Sequence, residues 1–333
     1  MANAASQRSV LVTGGAGFIG SHLCQTLLEH GCHVTVVDDL STGRLANLDA
    51  ARAQAGSRLE FIHDRVGPAL RRIGSQRFDQ IYHLAAAVGV RLVVEEPVRT
   101  IETNVLETAA VLEHAARHRS PVLVASTSEV YGKGSRSPFS EDDDIVFGPS
   151  TVSRWCYGIS KAVDEHLALA HARREGLPVV ITRFFNTVGP RQTGQYGMVL
   201  PRFVQAALEG QPLEVHGTGQ QARCFCDVRD VAPALPKLLA TPACHGRVLN
   251  VGSDQSITIL QLAELVIRTV DSRSTIKRIA YEEVYGTGFE DLAARQPDLS
   301  RIRQAIGFAA TIPLEQTIRD VAASLRPAVG GAA

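Results

Sequence analysis

Short apolar runs alternate with longer stretches of helical periodicity through the first half of the chain. β-branched and aliphatic residues fill the runs, whereas the stretch that begins near Pro97 carries Val98, Ile101 and Val105 at helical spacing. Strands that alternate with helices in this way form a parallel sheet with both faces covered. The pattern therefore predicts an α/β fold built on a doubly wound parallel sheet. Strands are predicted at residues 10–12, 33–37, 59–66, 78–89, 122–125 and 177–190.

The pattern changes character at about Thr187. Beyond it, short strand-like runs and helical stretches follow one another without the regular alternation of the first half. This change predicts a smaller α/β lobe over residues 187–326, some of whose strands can return to the main sheet. The glycine- and alanine-rich residues 327–333 predict a flexible tail.

A glycine-rich turn follows the first predicted strand, in the segment VLVTGGAGFIG at residues 10–20. Gly14, Gly17 and Gly20 are spaced three apart between a strand and a helix, which lets bare backbone approach a pyrophosphate at the helix N-terminus. Asp38 ends the second strand, eighteen residues after Gly20, where a carboxylate can bind both ribose hydroxyls and repel a 2′-phosphate. Residues 1–186 are therefore predicted to form a Rossmann domain that binds NAD rather than NADP.

Other parts of the predicted cofactor site follow later strands. Asp64 comes after the third strand, where a side chain can reach the adenine, and the fourth strand runs into small residues that let the backbone pass close to the cofactor. The full predicted set is Gly14, Gly17, Phe18, Ile19, Gly20, Asp38, Asp39, Asp64, Arg65, Leu84, Ala85, Ala86, Asn104, Tyr157 and Lys161.

The net charge, the length of the apolar runs and the spacing of the cysteines exclude several classes of partner and site. Lysine plus arginine equal aspartate plus glutamate at 34 each, which indicates neither a nucleic-acid nor a membrane partner. Apolar runs stay well short of the roughly 18 residues of a membrane span, and the polar N-terminus lacks a signal core, so a cytoplasmic protein is expected. The six cysteines form no CxxC pair, and we predict free thiols and no metal site.

A tyrosine and a lysine supply the candidate acid–base chemistry. Tyr157 and Lys161 are four residues apart on a predicted helix, so their side chains lie on one face. An ammonium at that distance stabilises a phenolate, and we predict a lowered pKa for Tyr157 and a role as general base. Hydroxyl groups end the fifth strand at residues 126–128, on the sheet edge where this helix should begin.

These motifs together resemble the extended short-chain dehydrogenase/reductase family, whose members include the NAD-dependent nucleotide-sugar epimerases, dehydratases and decarboxylases. The resemblance covers nearly the whole chain. It is carried by GGAGFIG, the Asp38 strand, HLAA at 83–86, STSEVYG at 126–132, YGISK at 157–161 and RFFNTVGPR at 183–191.

The resemblance implies a residue-by-residue assignment. Tyr157 takes a proton from a sugar hydroxyl, usually at C4, while hydride passes to the nicotinamide, Lys161 also holds the nicotinamide ribose, and Thr127 hydrogen-bonds the reacting hydroxyl. The cofactor is recycled because the hydride returns after a second step on the ketosugar. On the substrate side the resemblance points to Arg154, Asn186, Arg191, Arg223 and Arg295, in the second lobe and near Tyr157.

The second step depends on the residues Thr127, Ser128 and Glu129. The sequence TSE followed by VYG, with Arg154 before Tyr157 and ARQP around position 295, resembles the UDP-glucuronate decarboxylase group. An arginine near the sugar could hold a carboxylate in a bidentate pair. Decarboxylation of UDP-glucuronate to UDP-xylose is therefore favoured, with NDP-sugar 4-epimerisation and then 4,6-dehydration as alternatives. Glu129 is expected to assist the rearrangement at C5 and C6.

Two further classes of function remain open: a non-catalytic dinucleotide sensor, and a dehydrogenase with a net redox change. The presence of both Tyr157 and Lys161 argues against the sensor. The resemblance also implies a homodimer that pairs the helices beginning near Pro97 and Tyr157, although core packing explains the same apolar spacing.

Overall fold

The computed structural model describes residues 8–89, 93, 95–194, 198–285 and 294–326. Its strands are β1 (Ser9–Thr13), β2 (His33–Asp38), β3 (Leu59–His63), β4 (Gln80–His83), β5 (Val122–Thr127), β6 (Val179–Phe184), β7 (Thr187–Val188), β8 (Leu213–His216), β9 (Ala222–Cys224), β10 (Cys226–Asp227), β11 (Arg247–Val251), β12 (Ser256–Thr258), β13 (Ile276–Ile279) and β14 (Ala294–Arg295).

The α-helices are α1 (Phe18–Glu29), α2 (Asp49–Ala55), α3 (Val66–Ile73), α4 (Pro97–His118), α5 (Cys156–Glu175), α6 (Val199–Leu208), α7 (Val228–Ala240), α8 (Ile259–Thr269), α9 (Tyr281–Tyr285), α10 (Ser300–Ile306) and α11 (Leu314–Leu325). Short 3₁₀ turns occupy Leu45–Leu48, Gly56–Arg58, Ser128–Tyr131, Ser153–Trp155 and Pro242–Cys244.

The main sheet has seven parallel strands in the order β11-β6-β5-β4-β1-β2-β3. Its central strands are mostly buried and rich in aliphatic residues, because helices cover both sides of the sheet. The strand order reverses between β1 and β4, and ligands bind in sheets of this kind in the crevice at such a reversal. The fold class predicted from the sequence is confirmed.

Two hydrophobic clusters flank the sheet. On one face, Leu23 and Leu27 of α1 share a cluster with Leu235 of α7. On the other, Val111 of α4 and Ala168 of α5 pack with apolar residues of β5 and β6. The sheet is thereby held between two layers of helices, which leaves the carboxyl ends of its strands open for a site.

A second lobe is built from later parts of the chain. Two small sheets, β13-β8 and β12-β9-β14, lie with α6, α8 and α11, and their apolar side chains form a separate core around Phe203 and Leu262. The strand β11 comes from beyond Thr187 but joins the main sheet beside β6, and α7 packs against α1. The boundary at residues 186 and 187 remains a prediction.

The predicted fourth strand extends further than the observed one. The strand β4 ends at His83, and the following backbone leaves the sheet and passes close to the glycine turn, where a Cβ on Gly14 would lie 2.7 Å from the amide nitrogen of Ala85. The predicted flexible tail, residues 327–333, lies outside the described residues. Among the helices described above, none is both long enough and apolar enough to cross a bilayer.

Candidate active site

A cavity of about 530 Å³ opens at the carboxyl ends of the main-sheet strands and extends towards the second lobe. Its walls include all but one of the residues that the sequence predicted for the site. The predicted residues on its walls are Gly14, Gly17, Phe18, Ile19, Gly20, Asp38, Asp39, Asp64, Arg65, Leu84, Ala85, Ala86, Thr127, Ser128, Glu129, Arg154, Tyr157, Lys161, Asn186, Arg191, Arg223 and Arg295.

The glycine turn has the backbone form that a dinucleotide needs. Gly14 has a φ of +70°, a backbone angle that residues other than glycine rarely adopt. A Cβ on Gly20 would collide with the Gly14 carbonyl oxygen. Gly17 is the N-cap of α1, so the first turn of the helix faces the cavity with its backbone amides and positive dipole end. The absence of side chains here leaves a cradle that a pyrophosphate fits.

Asp38 is tied to the same turn. Its carboxylate accepts hydrogen bonds from the backbone amides of Ala16, at 2.9 Å, and Leu40, at 2.8 Å. Burial raises the pKa of Asp38, and the amide hydrogen bonds partly oppose that effect. The side chain lines the cavity at the end of β2, so the acid both braces the glycine turn and fits ribose hydroxyls.

Asn104 lies behind the cavity wall. Its Oδ1 accepts a hydrogen bond from the Ala87 amide at 2.9 Å, and its Nδ2 donates to Ser160 Oγ at 3.0 Å. The side chain is buried between α4 and α5. Asn104 therefore holds the backbone that follows β4 in place, rather than lining the cavity itself.

Tyr157, Lys161 and Thr127 meet on the cavity wall, but the charges around the phenol differ from the expectation. Burial raises the pKa of Tyr157 well above its ordinary value, the carboxylates of Glu129 and Asp164 raise it further, and the Thr127 hydroxyl lowers it. The prediction of a lowered pKa for Tyr157 is therefore wrong. Burial of the phenol is the main cause and outweighs any stabilisation of the phenolate by Lys161, whose Nζ also donates to Asp164 Oδ2 at 2.7 Å.

Glu129 lies between two buried arginines. It pairs with Arg154, whose Nη1 is 2.9 Å from Glu129 Oε2, and with Arg295. The two guanidinium side chains are only 8% and 6% exposed. Burial by itself would raise the pKa of Glu129, but the two positive charges outweigh it and lower the pKa to about 2. Glu129 is thus ionised at neutral pH, and both cavity arginines form ion pairs with its carboxylate.

The other substrate-side residues have distinct settings. Arg191 has a φ of +72° and donates to Gln25 Oε1 of α1 at 2.9 Å, which places it beside the helix that carries the glycine turn. Asn186, with a φ of +26°, donates to the Cys224 carbonyl at 3.1 Å. Arg223 is buried on β9, the strand that pairs with the Arg295 strand β14. The second lobe therefore brings Arg223 and Arg295 to the cavity together.

Three charged residues behind the cavity wall are not among those predicted from the sequence. Asp164 pairs with Lys161, and its spacing of three residues on one helix is a signal that could have identified it. Behind Thr127, Ser126 donates to Glu165, which also forms a bidentate pair with Arg183. Nothing in the sequence indicates this second pair, because Glu165 and Arg183 meet only through the packing of α5 against β6.

Comparison with known proteins places these features in context. Residues 10–252 match the family described as NAD dependent epimerase/dehydratase. The chain is 38% identical over 315 residues to the UDP-N-acetyl-alpha-D-glucosaminuronate decarboxylase of Bacillus cytotoxicus, covering 94% of this chain and 96% of the relative. It is 35% identical to UDP-glucuronic acid decarboxylase 1 of Danio rerio, covering 93% of this chain and 71% of the relative.

A solved structure extends the similarity to the fold. The UDP-glucuronic acid 4-epimerase of Bacillus cereus, in complex with UDP-glucuronic acid and NAD, superposes with a TM-score of 0.82 at 27% identity. The superposition covers 95% of this chain and 98% of the epimerase chain. The family resemblance inferred from the motifs is confirmed.

Proposed function

Because the chain belongs to the NAD-dependent epimerase/dehydratase family, we propose that it is a nucleotide-sugar decarboxylase that converts a UDP-hexuronate to the corresponding UDP-pentose. Our first assignment is UDP-glucuronate to UDP-xylose. The relative from Bacillus cytotoxicus supports a variant in which C2 carries an acetamido group. Both substrates share the C6 carboxylate, which is the group on which the proposal depends.

The pairing of Glu129 with Arg154 and Arg295 carries this proposal. Two buried guanidinium groups on the cavity wall are suited to a planar carboxylate, and a neutral hydroxymethyl group would offer them no charge. An incoming uronate can share the arginines with Glu129. Its charge then lies near a second carboxylate, and that repulsion is relieved when carbon dioxide leaves.

The first chemical step belongs to the residues at the end of β5 and the start of α5. Thr127 orients the C4 hydroxyl and Tyr157 removes its proton, while Lys161 holds the nicotinamide ribose. The glycine turn and Asp38 would hold NAD, which would supply a reversible hydride acceptor for C4 and would not be consumed. Since burial and nearby carboxylates raise the pKa of Tyr157, we expect this step to accelerate as the pH rises through neutrality.

The second step uses the ketone now present at C4. The carboxylate is β to that ketone, so the C5–C6 bond breaks, carbon dioxide leaves, and the electron pair moves into the enolate at C4. The enolate takes up a proton from solvent at C5, the hydride removed in the first step returns to C4, and Tyr157 returns its proton to the C4 oxygen. Glu129 is kept ionised by its arginines, so its role in the free enzyme is that of an anion rather than a proton donor.

Epimerisation at C4 is the second candidate, because a UDP-glucuronic acid 4-epimerase has a similar fold. To separate the two, the protein is incubated with NAD and, in turn, UDP-glucuronate, UDP-N-acetylglucosaminuronate and UDP-glucose, and the products are identified by mass. Decarboxylation predicts loss of carbon dioxide from a uronate. A product of unchanged mass with a shifted retention time would instead establish the epimerase. The Tyr157→Phe variant, which keeps the ring but lacks the base, is the matched control.

We also propose that the protein forms a homodimer through α4 and α5. Val98 and Leu106 of α4 are 67% and 60% exposed, and Ile101 of α4 with Ile159 and Val163 of α5 are also exposed apolar residues. The two helices are neighbours, so these side chains can form one surface. Pairing two copies of this surface would remove the apolar residues from water.

A further inference from the structure

A buried carboxylate that the proposed mechanism does not use lies one helical turn from Lys161. Asp164 is 0% exposed on α5, and its Oδ2 accepts a hydrogen bond from Lys161 Nζ at 2.7 Å. Lys161 is itself 2% exposed and lines the cavity. Two charges taken out of water are stable only when their remaining hydrogen-bonding capacity is satisfied, so the surroundings of Asp164 are informative.

A series of side chains leads from the cavity wall to this carboxylate. The Ala85 amide donates to Thr13 Oγ1 at 3.3 Å, Thr13 Oγ1 lies 2.7 Å from His83 Nδ1, and His83 Nε2 lies 3.0 Å from Thr108 Oγ1. Burial raises the pKa of Asp164, while the Lys161 ammonium and the Thr108 hydroxyl oppose that effect and favour the ionised carboxylate. The series crosses β1, β4, α4 and α5, so it links the elements on which the cofactor wall is built.

The hydrogen-bond directions in this series agree with one another. Burial lowers the pKa of His83 to about 3, and the Lys161 charge acts in the same direction, so the imidazole is neutral. The Thr13 hydroxyl accepts a hydrogen bond from the Ala85 amide and can donate its own hydrogen to His83 Nδ1. A neutral His83 that accepts at Nδ1 carries its proton on Nε2, which can donate to Thr108 Oγ1. The hydrogen of Thr108 is then free to turn towards Asp164, whose Oδ1 is buried and has no hydrogen-bond partner among the described residues.

We propose that Asp164 is a positioning residue for the Tyr157–Lys161 pair. Its carboxylate, supported by Thr108 and His83, fixes the Lys161 ammonium beside the cofactor and offsets the positive charge that Lys161 would otherwise lend to the phenol. The expected effect of Asp164 on the reaction rate rests on the proposed function, whereas its expected effect on the pKa of Tyr157 does not. This charge balance makes Tyr157 a base that works at higher pH than a tyrosine beside an unpaired lysine.

The groups that face the pair allow the effect of Asp164 to be isolated. The anions that raise the pKa of Tyr157 are Glu129, from the turn after β5, and Asp164, from its own helix. Asp164 is faced by Lys161 and Glu165 on α5, by Thr108 on α4 and, beyond Thr108, by neutral His83 on β4. Glu129 has its own arginine partners, so removal of the Asp164 charge leaves that ion pair intact.

The test replaces Asp164 by asparagine, which has the same shape and no charge. Phenolate formation is followed by ultraviolet difference absorbance in the NAD-loaded protein, and the signal of the Tyr157→Phe protein is subtracted. We expect the Tyr157 midpoint to fall by about one pH unit in Asp164→Asn, because the unpaired ammonium then stabilises the phenolate. The exposed Asp144→Asn is the matched control and should leave the midpoint unchanged.

Turnover supplies a second measurement. The acid limb of the pH–rate profile should move to lower pH in Asp164→Asn by the same amount as the phenolate midpoint. A folded Asp164→Asn protein with an unchanged phenolate midpoint overturns the proposal. Should that variant not fold, Thr108→Val, which keeps the carboxylate but removes its support, must lower the midpoint in the same direction or the proposal fails. The absorbance titration needs no sugar substrate, so failure of the proposed decarboxylation would be recognised separately.

Discussion

Replacement of Glu129 by glutamine tests the electrostatic arrangement of the sugar end of the cavity. The substitution keeps the size of the side chain but removes the negative charge that Arg154 and Arg295 share. Both guanidinium groups are buried, so they cannot recover the lost interaction from water. We therefore expect Glu129→Gln to lose stability in the absence of ligand and to gain unusually much from a ligand that carries a carboxylate.

The pKa of Glu129 gives the size of the effect. A fall from 4.5 to about 2 corresponds, at about 1.4 kcal/mol per pH unit, to about 3 kcal/mol of preference for the ionised form in the folded protein. At about 2 cal/mol/K per residue, unfolding 333 residues as one unit carries an entropy of about 0.7 kcal/mol/K. The melting temperature of Glu129→Gln should therefore fall by about 4 °C at neutral pH.

Thermal unfolding at fixed ligand concentration provides the assay. Wild type, Glu129→Gln and the exposed control Glu113→Gln are compared without ligand, with UDP-glucose and with UDP-glucuronate. In Glu129→Gln the uronate can supply the missing charge, so its stabilising effect over UDP-glucose should exceed that seen in wild type. The Glu113→Gln protein should match wild type in all three conditions.

Two results would refute the reasoning. If Glu129→Gln melts within a degree of wild type, the two arginines do not depend on this carboxylate. If UDP-glucose and UDP-glucuronate stabilise the variant equally, the arginines do not bind the uronate carboxylate, and the main support for decarboxylation is removed.

Four further outcomes follow from the same structure. Tyr157→Phe should lose NADH formation in a single turnover by at least about 100-fold while calorimetry shows unchanged NAD binding, and substantial residual turnover would exclude the phenol as the base. Gly20→Ala should weaken NAD binding more than tenfold, because its Cβ would collide with the Gly14 carbonyl, and normal affinity would argue against the cradle. Because the pKa of Glu129 is depressed in the folded state, its contribution to stability is present above pH 4.5. The difference in unfolding free energy between wild type and Glu129→Gln should shrink between pH 4.5 and about 2, whereas a pH-independent difference would contradict the ion pair. Light scattering should show a dimer that Leu106→Glu converts to a monomer, and an unaffected dimer would place the interface elsewhere.

The local patterns account for most of what the sequence predicted correctly. The glycine turn needed no long-range information, because the strand before it, the helix after it and Asp38 are all within thirty residues of one another. The end of β4 was less predictable. Residues 84–89 remain apolar and small as a strand would be, and only the approach of the Gly14 backbone shows where the chain leaves the sheet.

The charge environment of the site could not be predicted from motif spacing. Tyr157 and Lys161 do lie on the cavity wall together, but the pKa of the phenol depends first on its burial and then on the carboxylates near it. In the same way, Glu129 and Arg295 are separated by 166 residues and meet only because β14 pairs with β9 in the second lobe.

The sequence by itself determined the fold class, the dinucleotide turn and the tyrosine–lysine pair, because each depends on periodicity or on spacing within one or two elements. Only the tertiary structure decided which charges neighbour one another: Lys161 with Asp164, and Glu129 with its two arginines. Coulombic interactions depend on distance through space and on burial, and neither quantity is encoded locally along the chain.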